Sequence, residues 1–137
     1  MKKILIVEDD PMLSEVYGKK FEKAGDYEVL KATSGTETLE KIKKHKPDLV
    51  LLDLNLPRKD GREVLAEIKG DAKLKSIPVV VLTTSRNEDD ITQSYNLHVN
   101  CYITKSRNLS ELFRIVKGIE EFWLGTATLP LSEKEVS

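Results

Sequence analysis

The stretch LVLLDLNLP, residues 49–57, joins an unbroken apolar run to an acidic residue, Asp53. Four further apolar runs occur along the chain, at residues 4–7, 27–30, 79–82 and 101–103. Runs such as ILIV, LVLL and VVVL do not alternate with polar residues, which is typical of strands that are covered on both faces. The pattern therefore predicts a sheet that is buried between two layers.

Segments with helical periodicity separate these runs. The longest apolar stripe extends from Leu109 to Trp123 at the spacing of one helical face. Ser34 with Glu37 has the spacing of a capping box, and Asn108 precedes the last helix as a cap. Five strand–helix units in succession predict an α/β fold, a three-layer sandwich around a five-stranded parallel sheet with right-handed crossovers.

Length and composition exclude several classes of protein. The chain has 137 residues with 22 Lys and Arg against 23 Asp and Glu, so no strongly basic surface for nucleic acid is expected. Its apolar runs are far shorter than the ~20 residues that span a membrane. The single cysteine excludes a disulfide framework and a Cys-rich zinc site. We expect a cytoplasmic protein with one domain at residues 1–124 and a tail without a separate domain at 125–137.

Polar side chains follow four of the apolar runs. Residues 8–10 (EDD) follow the first run, Asp53 the third, Thr83 the fourth and Lys105 the fifth. Because sites in open α/β sheets lie beyond the carboxyl ends of the strands, we expect these side chains to converge. Taken singly, Asp10 reads as a helix cap, Lys105 as a surface residue and Thr83 as a strand residue. Their coincidence at four strand ends favours a functional site.

The residue types indicate a chemistry for this site. Crowded carboxylates raise one another's pKa unless a cation lies between them, and oxygen ligands without His or Cys favour Mg²⁺. A divalent ion on carboxylates is typical of phosphoryl transfer, in which a carboxylate also serves as nucleophile and forms an acyl phosphate. The sequence predicts transfer of a phosphoryl group onto Asp53, with Lys105 and the Thr83 hydroxyl holding the remaining phosphoryl oxygens.

Four segments resemble the receiver domain of two-component response regulators: residues 4–10 (ILIVEDD), 51–57 (LLDLNLP), 78–84 (PVVVLTT) and 102–105 (YITK). The resemblance implies a flavodoxin-like (βα)5 fold and Asp53 as acceptor of a phosphoryl group from the phosphohistidine of a sensor histidine kinase. It also implies a Mg²⁺ site in which Asp9, Asp53 and the backbone carbonyl of Asn55 bind the ion directly and Glu8 acts through water.

The same resemblance implies a switch. Lys105 would pair with the phosphoryl group, Thr83 would move toward it and Tyr102 would change rotamer. One residue departs from the usual pattern, because most receivers follow the lysine with proline in a cis bond, whereas Ser106 follows it here. A cis bond before a residue other than proline costs about 3–4 kcal/mol, so we predict a trans bond or a strained loop.

A narrower resemblance concerns residues 60–69 (DGREVLAEIK), 87–90 (NEDD) and 98–109 (HVNCYITKSRNL), which resemble response regulators paired with cyanobacterial phytochromes. It implies a phytochrome-type kinase as partner. The first half is more similar to receivers of transcriptional regulators, a mixture that fits a natural or a chimeric origin.

The end of the chain suggests self-association. Phe122 beside Trp123 forces one large aromatic side chain away from the core, and we expect it to form an exposed apolar patch with Leu124 and Leu129. From this patch we predict a homodimer through the fourth helix, the fifth strand and the fifth helix.

The leading interpretation is a stand-alone receiver that switches a protein–protein surface and catalyses only its own phosphorylation and dephosphorylation. The alternative is a pseudo-receiver that acts as an interaction or dimerisation module without phosphotransfer. A phosphatase of the haloacid dehalogenase type would need a second Asp where the chain has Asn55. A flavin-binding module would need a phosphate-cradling loop after the first strand, where three carboxylates stand instead.

Overall fold

The computed structural model describes residues 1–130, in which strands and helices alternate from end to end. The elements are β1 (Lys2–Val7), α1 (Pro11–Ala24), β2 (Tyr27–Ala32), α2 (Gly35–His45), β3 (Leu49–Leu52), α3 (Gly61–Gly70), β4 (Val79–Thr83), α4 (Glu88–Asn96), β5 (Cys101–Thr104) and α5 (Leu109–Ile119). A π-helical segment, Glu120–Thr126, follows α5 directly. The strands are parallel in the order β2-β1-β3-β4-β5. The predicted flavodoxin-like fold is confirmed.

Each face of the sheet carries its own apolar cluster. Ile6 of β1 and Leu51 of β3 pack in the cluster that contains Phe21 of α1, whereas Val7 packs in the cluster that contains Leu65 of α3. Every residue of β3 and β4 is buried. The apolar runs are therefore continuous because helices cover both faces of the central strands.

The alternation of side chains along the strands continues into the residues that follow them. The cluster that contains Phe21 also contains the buried face of α5 and is here called the α1–α5 cluster. Glu8, Asp53 and Lys105 each lie two residues after a strand residue of this cluster. Successive side chains of a strand point to opposite faces, so these three extend the same face of the sheet. Thr83 instead lies two residues after Val81, which packs in the opposite cluster.

Capping side chains define where the helices begin. Asp10 accepts hydrogen bonds from the backbone N–H groups of Met12 and Leu13, at 2.9 and 3.3 Å, and Pro11 is the first helical residue of α1. Ser34 caps α2 through the N–H of Glu37 at 3.2 Å. Asp10 is thus occupied as a cap, as one sequence interpretation held.

The predicted apolar patch at the end of the chain is wrong in two of its members. Phe122 is 53% exposed, but Leu124 is only 5% exposed, and Leu129 also packs against the α1–α5 cluster. The π-helical segment turns Leu124 inward, where its carbonyl accepts a hydrogen bond from Lys2 Nζ at 3.1 Å. Trp123 packs against the same cluster, in edge-to-face contact with Phe122.

The apolar stripe of α5 also begins later than predicted. Leu109, in the first turn, is 50% exposed, and the buried face starts at Leu112. Residues 131–137, most of the predicted tail, lie outside the described residues. Within residues 1–130, no helix combines the length and apolar character that crossing a bilayer requires.

Candidate functional site

A buried ion cluster lies at the carboxyl edge of the sheet. Lys105 Nζ donates hydrogen bonds to Glu8 Oε1 and, at 2.9 Å, to Asp53 Oδ2. The exposed fractions of the three residues are 7% for Lys105, 2% for Glu8 and 7% for Asp53. The backbone brings them together, because Asp53 N donates to Val7 O at 3.1 Å and Lys105 N to Thr83 O at 2.7 Å. Three of the predicted site residues therefore share one position.

The electrostatics of this cluster follow from its burial. Burial raises the pKa of Glu8, against the lowering effect of its hydrogen bond with Lys105. For Lys105, burial by itself lowers the pKa, but the hydrogen bonds to Glu8 and Asp53 outweigh it and raise the pKa to about 12. The ammonium group is thus firmly charged at neutral pH. Two carboxylates around one ammonium leave room for a further cation.

Asp9 completes a set of carboxylates on the solvent side of this cluster. Glu8, Asp9 and Asp53 each offer an oxygen, and these oxygens lie within 4.8 Å of one another. Asp9 is exposed while the other two are buried, so the set faces solvent on one side. Hard oxygen donors in this number fit a divalent cation that keeps part of its water shell.

The loop after β3 holds Asp53 through backbone contacts. Asn55 N donates to Asp53 Oδ1 at 3.1 Å, and Gly61 N donates to Leu54 O at 2.9 Å. A Cβ atom on Gly61 would lie 2.5 Å from Asp53 O and 2.6 Å from Leu54 Cα. Gly61 is therefore a site residue whose role the sequence did not predict, although it lies in the motif at residues 60–69. The Asp60-Gly61 pair was the available signal.

The two predicted switch residues both contact Ser85, in the loop after β4. Thr83, fully buried at the end of β4, has its Oγ1 3.5 Å from Ser85 N. Tyr102 donates its hydroxyl proton to Ser85 O at 2.9 Å. Among residues 1–130, no hydrogen bond joins the Thr83 hydroxyl to Asp53 or Lys105. The described chain has no cis peptide bond, so the bond between Lys105 and Ser106 is trans.

Tyr17 of α1 is a polar group near the site that sequence reasoning missed. It is 2% exposed, and its hydroxyl is the one buried side-chain polar atom in residues 1–130 without a hydrogen-bond partner. Burial raises its pKa to about 12, and the charges of Lys105, Glu8 and Asp53 also act on it. In the sequence Tyr17 is one member of an apolar helix stripe, and nothing there marks its hydroxyl.

Comparison with known protein families identifies the chain. The sequence-family model of the response regulator receiver domain matches residues 4–117, from β1 into α5. This span includes the carboxyl ends of all five strands. The chain belongs to the response regulator receiver family. The family that the sequence motifs implied is therefore confirmed.

The receiver is 73% identical over 85 residues to the response regulator Rcp1 of Synechocystis sp.. That stretch is 62% of this chain and 58% of Rcp1's length. The crystal structure of the phosphorylated cyanobacterial phytochrome response regulator RcpA matches with a TM-score of 0.90 and 57% identity, over 95% of this chain and 99% of that one. The crystal structure of the Mn²⁺-bound form of Rcp1 matches with a TM-score of 0.91 and 52% identity, over 96% of this chain and 100% of that one. The predicted similarity to phytochrome-associated response regulators is confirmed.

Proposed function

We propose that the receiver accepts a phosphoryl group on Asp53 from the phosphohistidine of a histidine kinase, of the phytochrome type. The observation that carries this proposal is the position of the Asp53 carboxylate. Lys105 holds Oδ2 at 2.9 Å and Asn55 N holds Oδ1 at 3.1 Å, in a nearly buried site with two further carboxylates. A structural relative, RcpA, is known in phosphorylated form.

The oxygen set fits Mg²⁺, with Asp9, Asp53 and the carbonyl of Asn55 as direct ligands and Glu8 acting through water. Support comes from Rcp1, whose structure is a Mn²⁺-bound form. When bound, the ion neutralises charge on the phosphoryl oxygens.

The residues of the chain account for the chemical step. An Asp53 oxygen attacks phosphorus, and the P–N bond breaks with its electron pair going to the ring nitrogen; the imidazole carries a proton on its other nitrogen and so leaves as a neutral ring. Lys105 stays with the transferred group, because the phosphoryl oxygens carry more negative charge than the phosphorylated carboxyl group of Asp53. Attack of water on phosphorus later breaks the P–O bond to Asp53, which releases inorganic phosphate and restores the carboxylate, and the receiver catalyses no other reaction.

The output is a change of protein–protein contact. Thr83 moves toward the phosphoryl group and Tyr102 changes rotamer, which alters the surface of α4, β5 and α5. We infer a homodimer through this surface, in a receiver domain of residues 1–124. Tyr95 of α4 and Leu109 of α5 are each 50% exposed, and Phe122 in the segment that follows α5 is 53% exposed, so apolar side chains are available on or next to these elements. Sedimentation as a monomer at tens of micromolar would contradict the dimer.

One experiment separates phosphotransfer from the pseudo-receiver alternative. The protein is incubated with Mg²⁺ and phosphoramidate, a small P–N donor, and its intact mass is measured. Wild type and the surface control Asp26→Asn should each gain one phosphoryl group, and Asp53→Asn should gain none. If wild type gains no mass, the phosphotransfer proposal fails and the pseudo-receiver alternative, an interaction module without phosphotransfer, is supported.

A further inference from the structure

Two segments that are distant in sequence meet through one ion pair. Arg62, in the first turn of α3, donates from Nε to Asp90 Oδ1 at 3.0 Å, and its Nη2 lies 2.8 Å from Asp90 Oδ2. Their side chains are only 24% and 20% exposed. A guanidinium that engages both carboxylate oxygens fixes the position of its partner as well as attracting it. The pair therefore ties the first turn of α4 to α3.

Asp90 in turn holds the loop between β4 and α4. Ser85 Oγ donates to Asp90 Oδ2 at 2.6 Å, and the Ser85 carbonyl accepts the Tyr102 hydroxyl at 2.9 Å. Ser85 Oγ also accepts from Asn87 N at 3.3 Å. The hydrogen bonds from Arg62 and Ser85 lower the pKa of Asp90, so this carboxylate is charged at neutral pH. Ser85 lies two residues after Thr83, and any movement of Thr83 pulls on it.

The remaining nitrogen of the Arg62 guanidinium group reaches the phosphoacceptor loop. Its Nη1 contacts both Asp60 carboxylate oxygens, at 3.0 and 3.1 Å, and Asp60 caps α3. The next residue, Gly61, packs directly against the backbone of Asp53. Arg62 thus spans the loops that follow β3 and β4.

We propose that Arg62 is a positioning residue: by holding Asp90, it keeps the loop at residues 84–87 in the conformation described above and controls how readily Thr83 reaches a phosphoryl group. The phosphoryl half of this inference rests on the proposed function. Movement of Thr83 toward a phosphoryl group requires one of two changes. Either Ser85 loses its hydrogen bond with Asp90 or with Tyr102, or Asp90 moves together with the loop at residues 84–87. The two contacts of the Arg62 guanidinium group with Asp90 resist the movement of Asp90. Loss of these contacts therefore favours the position of Thr83 closer to the phosphoryl group.

The first test needs no phosphodonor. Hydrogen exchange of residues 84–97 is followed by mass spectrometry in Arg62→Gln, Asp90→Asn and the double variant. Lys59→Gln, which removes the exposed ion pair between the loop before α3 and Glu67 of α3, is the control. We expect exchange to be faster by between about twofold and thirtyfold in the variants and unchanged in the control. The double variant should exchange no faster than the faster of the two single variants, because both remove the Arg62–Asp90 pair.

The hydrogen-exchange rate of Arg62→Lys should lie between those of Arg62→Gln and wild type, because an ammonium group keeps the charge but cannot bind both carboxylate oxygens as a guanidinium does. Exchange in Arg62→Gln no faster than in Lys59→Gln, or a double variant with summed effects, would overturn the proposal.

The second test adds phosphoramidate and Mg²⁺ and follows intact mass with time. Arg62→Gln should be phosphorylated faster than wild type. When Thr83→Ala is added to both proteins, their phosphorylation rates should become equal. A wild-type rate in Arg62→Gln would overturn the positioning role. If wild type itself gains no phosphoryl group, the proposed function fails, and hydrogen exchange alone decides whether Arg62 holds the loop.

Discussion

Lys105 Nζ lies 2.9 Å from Asp53 Oδ2, and both residues are only 7% exposed. The acceptor carboxylate and the ammonium group that we expect to bind the phosphoryl oxygens are therefore already paired before any phosphoryl group arrives. Glu8 shares the same ammonium group. This shared contact makes Lys105 important for stability as well as for chemistry.

Removing the ammonium group should destabilise the fold. Lys105→Met leaves Glu8 and Asp53 as two buried carboxylates without their cation, and breaking such a pair costs about 3–5 kcal/mol. Urea unfolding at neutral pH without divalent ions measures this loss. Lys117→Met, whose ammonium is 3.9 Å from Glu121 on an exposed face, is the control and should change stability by less than about 0.5 kcal/mol. Equal effects would contradict the buried triplet.

Divalent ions should stabilise the receiver through Asp9 and not through Asp10. Mg²⁺ at about 100 times its dissociation constant should add about 2.7 kcal/mol to the free energy of unfolding. Asp9→Asn should lose most of this gain, since it removes one carboxylate of the set. Asp10→Asn should keep it, because an amide still caps α1. Thermal unfolding with and without Mg²⁺ at matched ionic strength measures both, and an equal loss would refute the assignment.

Two glycine substitutions should have opposite effects. A Cβ atom at Gly61 would meet the Asp53 and Leu54 backbone, so Gly61→Ala should cost about 1–3 kcal/mol and slow phosphorylation. Gly118, inside α5, has open space where a Cβ atom would lie, so Gly118→Ala should stabilise by about 0.5–1 kcal/mol. Chemical denaturation checks both. Tolerance of alanine at residue 61 would mean that the loop is not held as described.

The two phenols of the α1–α5 cluster also make a matched pair. The Tyr17 hydroxyl is buried without a partner, so Tyr17→Phe should stabilise the fold by about 1 kcal/mol. The Tyr27 hydroxyl donates to Glu120 Oε1 at 2.8 Å, so Tyr27→Phe should destabilise it by about 1 kcal/mol. Denaturant titration of both variants gives the signs. Destabilisation by Tyr17→Phe would show that this hydroxyl has a partner in solution.

Stability should fall at alkaline pH. The pKa of Lys105 is raised from 10.5 to about 12, and that of Tyr17 from 10.0 to about 12. Between these values the folded protein keeps protons that the unfolded chain has released, so stability is intact below about pH 10 and declines toward pH 12. Tyr27 contributes with the same sign. Urea midpoints from pH 9 to 11.5 measure the decline, which Tyr17→Phe should make shallower; an identical slope would count against the raised pKa of Tyr17.

Much of the site was predictable because it depends on local rules. A polar residue that follows a buried parallel strand lies at the carboxyl edge of the sheet, whichever helices cover it. That rule brought Glu8, Asp53, Thr83 and Lys105 to one edge without coordinates. The rule by itself did not separate the three neighbouring acids, since their roles depend on face and exposure, although the position before Pro11 already indicated Asp10 as a helix cap. The structure assigns Glu8 to the buried ion cluster, Asp9 to the solvent side and Asp10 to the helix cap.

By itself, the sequence determined the order of strands and helices, the burial of the sheet on both faces and the edge that carries the chemistry, because strand and helix periodicities record which faces are covered. Only the tertiary structure decided the pairing of Arg62 with Asp90, the unpartnered hydroxyl of Tyr17 and the inward turn of Leu124. These features depend on how helices pack across the sheet and on a widened final turn. Such contacts join residues whose separation along the chain follows no period.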